Sequence, residues 1–206
     1  MNYLEPSDYA VYGLEATTPQ ALVAAATALM DAHCRRPALT VSTYTERLRL
    51  APRRNTARLS YLPLAPVAPA ATPIVTARAR CGVPRRGEGC NEMAADVAQA
   101  FGLPGAWTEL DPAGFEWRPE TGELTLPGNA LGLAFNELEV TYTAGLAVLP
   151  DAVKFACAQL VRNAQATPAL NVRTGSLDRM RLEYFRDSLL DANVRALLAP
   201  YVAHKL

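Results

Sequence analysis

Apolar and polar positions change their spacing several times along the chain. After Thr18 the period is helical, with Leu22, Ala26, Leu29, Met30 and His33 on one stripe. Thr18 and Pro19 read as N-cap and first helical residue. Arg35, Arg36 and Pro37 close the helix, the arginines where its dipole favours cations. A short helix capped by Ser7 and ended by Gly13 is predicted upstream. From Leu39 to Leu50 the period drops to two: Val41, Thr43 and Thr45 oppose Tyr44, Glu46, Leu48 and Leu50, which predicts a strand or two short ones. Ala57 to Leu62 and Ile74 to Cys81 are further strand candidates, and Pro63, Pro66, Pro69 and Pro73 forbid a regular element between them.

Pro84 to Pro112 reads as an excursion, with Asn91 capping a short helix of Met93, Val97 and Phe101 that Gly102, Pro104 and Gly105 stop. Phe115 to Arg118 and Glu123 to Leu126 flank Pro119-Glu120-Thr121-Gly122, a hairpin turn with glycine last. Leu138 to Thr143 alternates Leu138, Val140 and Tyr142 with Glu137, Glu139 and Thr141. Helical spacing returns after Pro150 and Asp151, with Val153, Ala156, Cys157, Leu160, Val161 and Ala164 inward and Pro168 just beyond the end. Asn171 to Phe185 has no clear period. Ser188 with Asp191 resembles a capping box for a last helix carrying Leu190, Val194, Leu197, Leu198 and Tyr201.

Strands and helices do not alternate, so a doubly wound parallel sheet is not expected. The fold class is α+β: a small helical bundle of about three to four helices, an inserted antiparallel β module and an extended C-terminal arm. The expected organisation is one domain over 1–206, with the β module at 38–144, its excursion at 84–112, and the arm and last helix at 169–206.

Charge adds what periodicity cannot. From Arg35 to Arg86 there are eleven arginines and one acid, Glu46, a balance of 11 − 1 = +10. From Glu88 to Glu139 there are ten acids and one base, Arg118, a balance of 1 − 10 = −9. The blocks either neutralise each other within one subunit or meet between copies, plus edge on minus edge, a contact that repeats into a ring. For the second case the candidate inter-subunit residues are Arg47, Arg49, Arg53 and Arg54 against Glu116, Glu120, Glu123, Glu137 and Glu139.

Other chemistry is weakly signalled. Half the residues are hydrophobic, so wholesale disorder is not expected. The first ten residues have no basic n-region and the longest apolar run, Ala21 to Met30, is too short for a bilayer, so a soluble cytosolic protein with no membrane partner is expected. Cys34, Cys81, Cys90 and Cys157 lack zinc or redox spacing, and no metal or cofactor is expected. His33 lies on a helical stripe and His204 near the terminus, so no catalytic set is expected. Glu137 and Glu139 share one side of a strand about 6–7 Å apart, a spacing that could serve a glycoside hydrolase and equally fits the wet face of a half-buried strand. Arg53-Arg54 and Arg85-Arg86, with Tyr44 and Tyr61 for stacking, could touch nucleic-acid backbone.

The order of motifs resembles the head–tail connector (adaptor) proteins of long-tailed bacteriophages. The resemblance runs through Tyr3-Leu4-Glu5-Pro6-Ser7-Asp8-Tyr9 and the helix end Leu29-Met30-Asp31-Ala32-His33-Cys34-Arg35-Arg36. Tyr44-Thr45-Glu46, Leu62-Pro63-Leu64 and Val140-Thr141-Tyr142-Thr143-Ala144-Gly145 follow, then Leu149-Pro150-Asp151-Ala152-Val153-Lys154 and Val194-Arg195-Ala196-Leu197-Leu198-Ala199-Pro200-Tyr201. It implies a helical bundle holding a small β module, assembled as a ring of twelve copies between the portal protein and a tail or stopper protein. DNA would pass through the channel, in the virion neck, after assembly in the host cytoplasm. Family members dock on the portal through the C-terminal part, which here means Asn193 to Tyr201, with Val194, Leu197, Leu198 and Tyr201. The preceding segment adds Arg173, Arg179 and Arg181, in an arm that orders on a partner. A stopper or tail-completion protein is the neighbouring alternative.

Overall fold

In a computed structural model of the chain, the described residues are 2–50, 55–82, 100, 102, 104–127, 135–166, 174–177, 180–183 and 189–203, with the backbone alone for 174–177 and 180–183. The predicted helix of Met93, Val97 and Phe101, and the residues Arg53, Arg54, Arg85, Arg86, Cys90, Arg173, Arg179 and His204, lie outside them. The chain folds as two compact units, one of Met1–Leu39 with Val148–Ala203 and the other of Thr40–Ala147. Helices and antiparallel sheets are both present, so the fold is mixed α+β.

In the helical unit, α1 spans Gln20–Cys34 and buries Val23, Ala26, Thr27, Met30 and Cys34. The buried stripe is therefore rotated from the predicted one: Leu29 is exposed and Leu22 and His33 are half-buried. An Ala-rich helix offers several weakly apolar faces, and tertiary packing chose the one whose Thr27 hydroxyl accepts from the Tyr3 backbone N–H at 3.3 Å. Pro19 is the N-cap and its side chain makes no capping bond, one residue later than Thr18. At the other end Arg35 adopts φ 56°. Its N–H bonds back to Ala32 O and that of Arg36 to Asp31 O, a left-handed cap built without glycine.

α2 spans Asp151–Ala166 and buries Val153, Ala156, Cys157, Leu160 and Val161 as expected, with Ala158 and Asn163 in addition. α3 spans Ala192–Leu198; Asp191 is its N-cap and accepts from Val194 N, so Asp191 does the capping that was assigned to a Ser188 box. Upstream, Pro6–Asp8 is a single 3-10 turn with Glu5 in the cap position, and Ser7 lies inside it. The stretch Asn171 to Phe185, which showed no period, contains an antiparallel hairpin of β8 (Thr174–Leu177) and β9 (Met180–Glu183). Four-residue strands are too short to display alternation in a sequence.

The β unit has a four-stranded antiparallel sheet ordered β1-β7-β3-β4, made of Ser42–Arg49, Glu137–Ala144, Ile74–Arg80 and Thr108–Leu110. A second sheet is ordered β2-β6-β5, made of Thr56–Arg58, Glu123–Thr125 and Glu116–Trp117. One apolar cluster draws on both sheets through Tyr44, Leu50, Leu59, Leu64, Ile74, Phe115, Leu124, Leu138, Val140 and Tyr142. Burying each large side chain stabilises by about 1.5–3 kcal/mol. The turn at Gly122 takes φ 66°, where a Cβ would strike Leu62, as expected of the last residue of the hairpin turn.

The proline-punctuated stretch makes no strand, yet it laces onto the end of β7: Thr143 N donates to Pro73 O, Ala65 N to Thr143 O and Gly145 N to Pro63 O. Gly145 takes φ 132°, and a Cβ there would stand 2.4 Å from Thr40 O. Thr40 and Leu146 are bridged beside it, so the chain enters and leaves the β unit at one place.

Candidate functional site

Period two places Thr45, Arg47 and Arg49 on one face of β1, and Glu137, Glu139 and Thr141 on one face of β7. The register opposes Thr45 to Thr141, Arg47 to Glu139 and Arg49 to Glu137. On the far side of β7, Thr76, Arg78 and Arg80 of β3 oppose Thr141, Glu139 and Glu137. Three strands thus bring four arginines and two glutamates onto one surface.

Glu137 is the hub. Its carboxylate accepts from Arg47 Nη2 at 2.7 Å, Arg80 Nε at 2.7 Å and Arg49 Nη1 at 3.3 Å. Glu139 accepts from Arg78 Nε at 2.9 Å. Burial pushes the Glu137 carboxyl up, but the hydrogen bonds and charges of Arg47 and Arg80 outweigh it, and its pKa lies below the usual carboxylate value. A glycosidase acid needs the opposite shift. The arginines hold Glu137 ionised, so it does not fit the acid role of such a pair.

Trp107, just before β4, packs against the same cluster. The guanidinium carbons of Arg80, Arg78 and Arg47 stand 4.5, 5.1 and 5.2 Å from its ring centroid. Such contacts are worth about 0.5–2 kcal/mol each and restrict long, flexible side chains. Gly82 lies against Glu137, where a Cβ would approach the carboxylate to 2.6 Å. Asn136 holds that glycine in place, donating Nδ2 to Gly82 O at 2.8 Å and accepting from Gly82 N.

The opposite face carries a second polar cluster within the apolar core. Tyr142 Oη donates to Glu46 Oε1 at 2.7 Å and accepts from Tyr61 N at 3.2 Å, while Ser60 Oγ donates to Glu46 at 3.1 Å. Burial first, then the Glu46 carboxylate, raises the Tyr142 hydroxyl pKa. Tyr44 and Tyr61 stack on each other at 3.9 Å, with Tyr44 buried, so this pair is not the exposed base-stacking platform considered from sequence. Glu46, the one acid of the basic block, serves the core.

The sequence-predicted residues divide accordingly. Arg47, Arg49, Glu137 and Glu139 pair within the chain, which is the intramolecular form of the charge sorting. Glu116 and Glu120 are exposed on the β5–β6 hairpin, and Glu123 lies 3.8 Å from Arg118 there. Of the portal-binding set, Val194 and Leu198 are fully buried in the helical unit, packed where a partner could not reach them. Leu197 and Tyr201 are half-buried, and Arg181 lies on β9. Sequence reasoning missed Trp107, Arg78 and Arg80 as members of a cluster. The signal for the two arginines was the period-two run Thr76-Ala77-Arg78-Ala79-Arg80, and Trp107 had none. Among the described residues, no three His, Cys, Asp or Glu are grouped to hold a metal, and no helix is long and apolar enough to cross a membrane.

No family model matches the chain, and no curated protein matches it. Among solved structures, it is similar to a chain of the virion of native gene transfer agent (GTA) particle, at 15% identity and a TM-score of 0.43, over 98% of this chain and 91% of that one. A likeness at that level carries no argument about function.

Proposed function

We propose that the chain is a structural protein of a phage-like virion, and within it a head–tail adaptor: one subunit of a ring, of twelve copies in the family it resembles, between portal and tail. In this reading it is not an enzyme. It works by presenting surfaces to its own copies, to the portal and to a tail or stopper protein. The observation that carries the reading is the architecture. The first and last parts of the chain make one helical unit, and the β unit is let in between them at Thr40 and Ala147, as the motif order implies. Motif residues stand where the fold has no substitute, Gly145 against Thr40 and Glu46 under Tyr142. The inter-subunit and portal contacts then fall to exposed Glu116 and Glu120 on the hairpin and to half-buried Leu197 and Tyr201 at the C-terminal end.

A density map of the particle neck tests this reading. Density for this chain directly against the portal supports it, and density one layer below makes the chain a stopper. In solution the protein is expected to be a monomer or a labile oligomer that forms rings on portal, seen by light scattering and negative-stain imaging with and without portal. A stable dimer that ignores portal overturns it.

A further inference from the structure

We propose that the face of β1, β7 and β3 bearing Arg47, Arg78 and Arg80 over Trp107 binds the phosphodiester backbone of nucleic acid, without reading sequence. The assignment stands on the face itself and does not depend on the ring.

Two of the four arginines stand above the acceptors. The side chains of Glu137 and Glu139 are 13% and 27% exposed, those of Arg47 and Arg78 53% and 42%, while Arg49 and Arg80, at 19% and 17%, lie as low as the carboxylates. Each guanidinium has five N–H donors in a rigid fork, and in Arg47 and Arg78 a single carboxylate engages only part of that fork. The glutamates and the indole therefore act as anchors that fix the forks and leave donors turned outward. Hydroxyls of Thr45, Thr76 and Thr141 continue the same face, Thr45 and Thr141 sharing a 2.9 Å hydrogen bond. Arg47, Arg49, Arg78 and Arg80 against Glu137 and Glu139 give 4 − 2 = +2, and counting Glu109 beside Arg78 on β4 gives 4 − 3 = +1. A donor-rich, preorganised cationic face is matched by an acceptor-only polyanion, and phosphate oxygens take two parallel N–H bonds from such a fork. Trp107 is already engaged by three guanidinium groups, so contacts are expected to go to the backbone and not to bases.

The test is fluorescence anisotropy of the full chain with a labelled duplex of about 30 bp, from about 50 to 200 mM salt. The wild type is expected to bind two unrelated sequences equally, with affinity falling linearly in log salt. The Arg47→Gln/Arg78→Gln double variant should bind at least about tenfold more weakly at low salt and lose about 1.8 from the slope, 0.9 per phosphate contact. Arg47→Lys/Arg78→Lys should keep the slope, which separates lost charge from lost fold, and Glu116→Gln/Glu120→Gln should not weaken binding. No binding by the wild type at low salt overturns the proposal, as does a Gln double variant that binds like wild type. If the Gln variant keeps DNA binding but loses self-association in light scattering, the partner is the acidic hairpin of a second copy and the proposal also fails. None of these outcomes decides the neck assignment, which the particle map decides.

Discussion

The two units solve the same problem, holding polar groups at the edge of a core, in different ways. The helical unit uses scattered ties between single partners. Lys154 Nζ donates to Asp8 at 2.8 Å, Tyr12 Oη to Asp151 at 2.8 Å, Asn163 Nδ2 to Asp191 at 3.1 Å, and Tyr3 Oη to Asp31 while accepting from Leu39 N at 2.6 Å. Each fastens one segment to one helix. The β unit pools its charges, with one carboxylate serving arginines on two neighbouring strands and an indole under all but Arg49. In a pooled network the loss of one member leaves several groups unmatched, whereas in a scattered one the damage stays local.

Glycines at left-handed positions give the largest contrast. Gly145→Ala in the β unit must push Thr40 backbone aside as well as hold a strained φ, and is expected to cost more than about 3 kcal/mol. Gly13→Ala in the helical unit, at φ 73° with its nearest neighbour atom 3.7 Å away, should cost only about 1–2 kcal/mol of backbone strain. Denaturant melts of the two variants measure the difference, and equal costs would mean that the Thr40 approach is soft.

Removing a hub sharpens the comparison. Glu137→Gln takes the shared carboxylate from three guanidiniums and is expected to cost about 2–3 kcal/mol, below the figure for a buried pair because Arg47 is half exposed. It should also shift Trp107 emission as the arginines above the ring rearrange. Asn163→Ala, which loses bonds to Leu189 O and Asp191, should cost about 1–2 kcal/mol and leave that emission alone.

Acid should separate Glu137 from Asp31 by sign. The Glu137 pKa is lowered on folding from 4.5, so its stabilisation is complete above that value and is lost as pH falls through the lower folded one. The Asp31 pKa is raised from 3.8 on folding, mainly by burial, against the hydrogen bonds from Tyr3 and Leu39. It binds its proton more readily folded than unfolded, so its contribution improves as pH falls toward that value. Below about pH 4 the β-unit amides are expected to lose hydrogen-exchange protection before those around Asp31. Simultaneous loss would show that the units unfold as one.

The smallest effect is at the thiols. Burial pushes Cys34 and Cys157 of the helical unit up to about 11, while Cys81 of the β unit is half-buried. In a Cys90→Ser background, an aromatic disulfide reagent at neutral pH should label Cys81 first and the other two only on unfolding.

Much of the fold could be read from the chain. The alternation of Glu137 to Thr143 and of Leu39 to Leu50 appears as β7 and β1 with the expected faces, and the apolar positions of α2 are buried as its period requires except Ala164, which is half-buried. The stripe of α1 differs from the expected one because alanines make its faces nearly equivalent, and packing against partners such as Tyr3 and α2 chooses between them. The candidate site was half visible. Two blocks of opposite charge are plain in the sequence, and so are the two ways they can meet.

The sequence alone determined the helices α1, α2 and α3 and the long strands β1, β3 and β7, which side of β1 and β7 is wet, and that charge is sorted. Those properties repeat over two to four residues and need no partner. Tertiary structure decided the order β1-β7-β3, and with it that Arg47, Arg49, Arg78 and Arg80 close on Glu137 and Glu139 over Trp107. Register is set by the whole core at once, through residues dozens of positions apart, so no local pattern contains it.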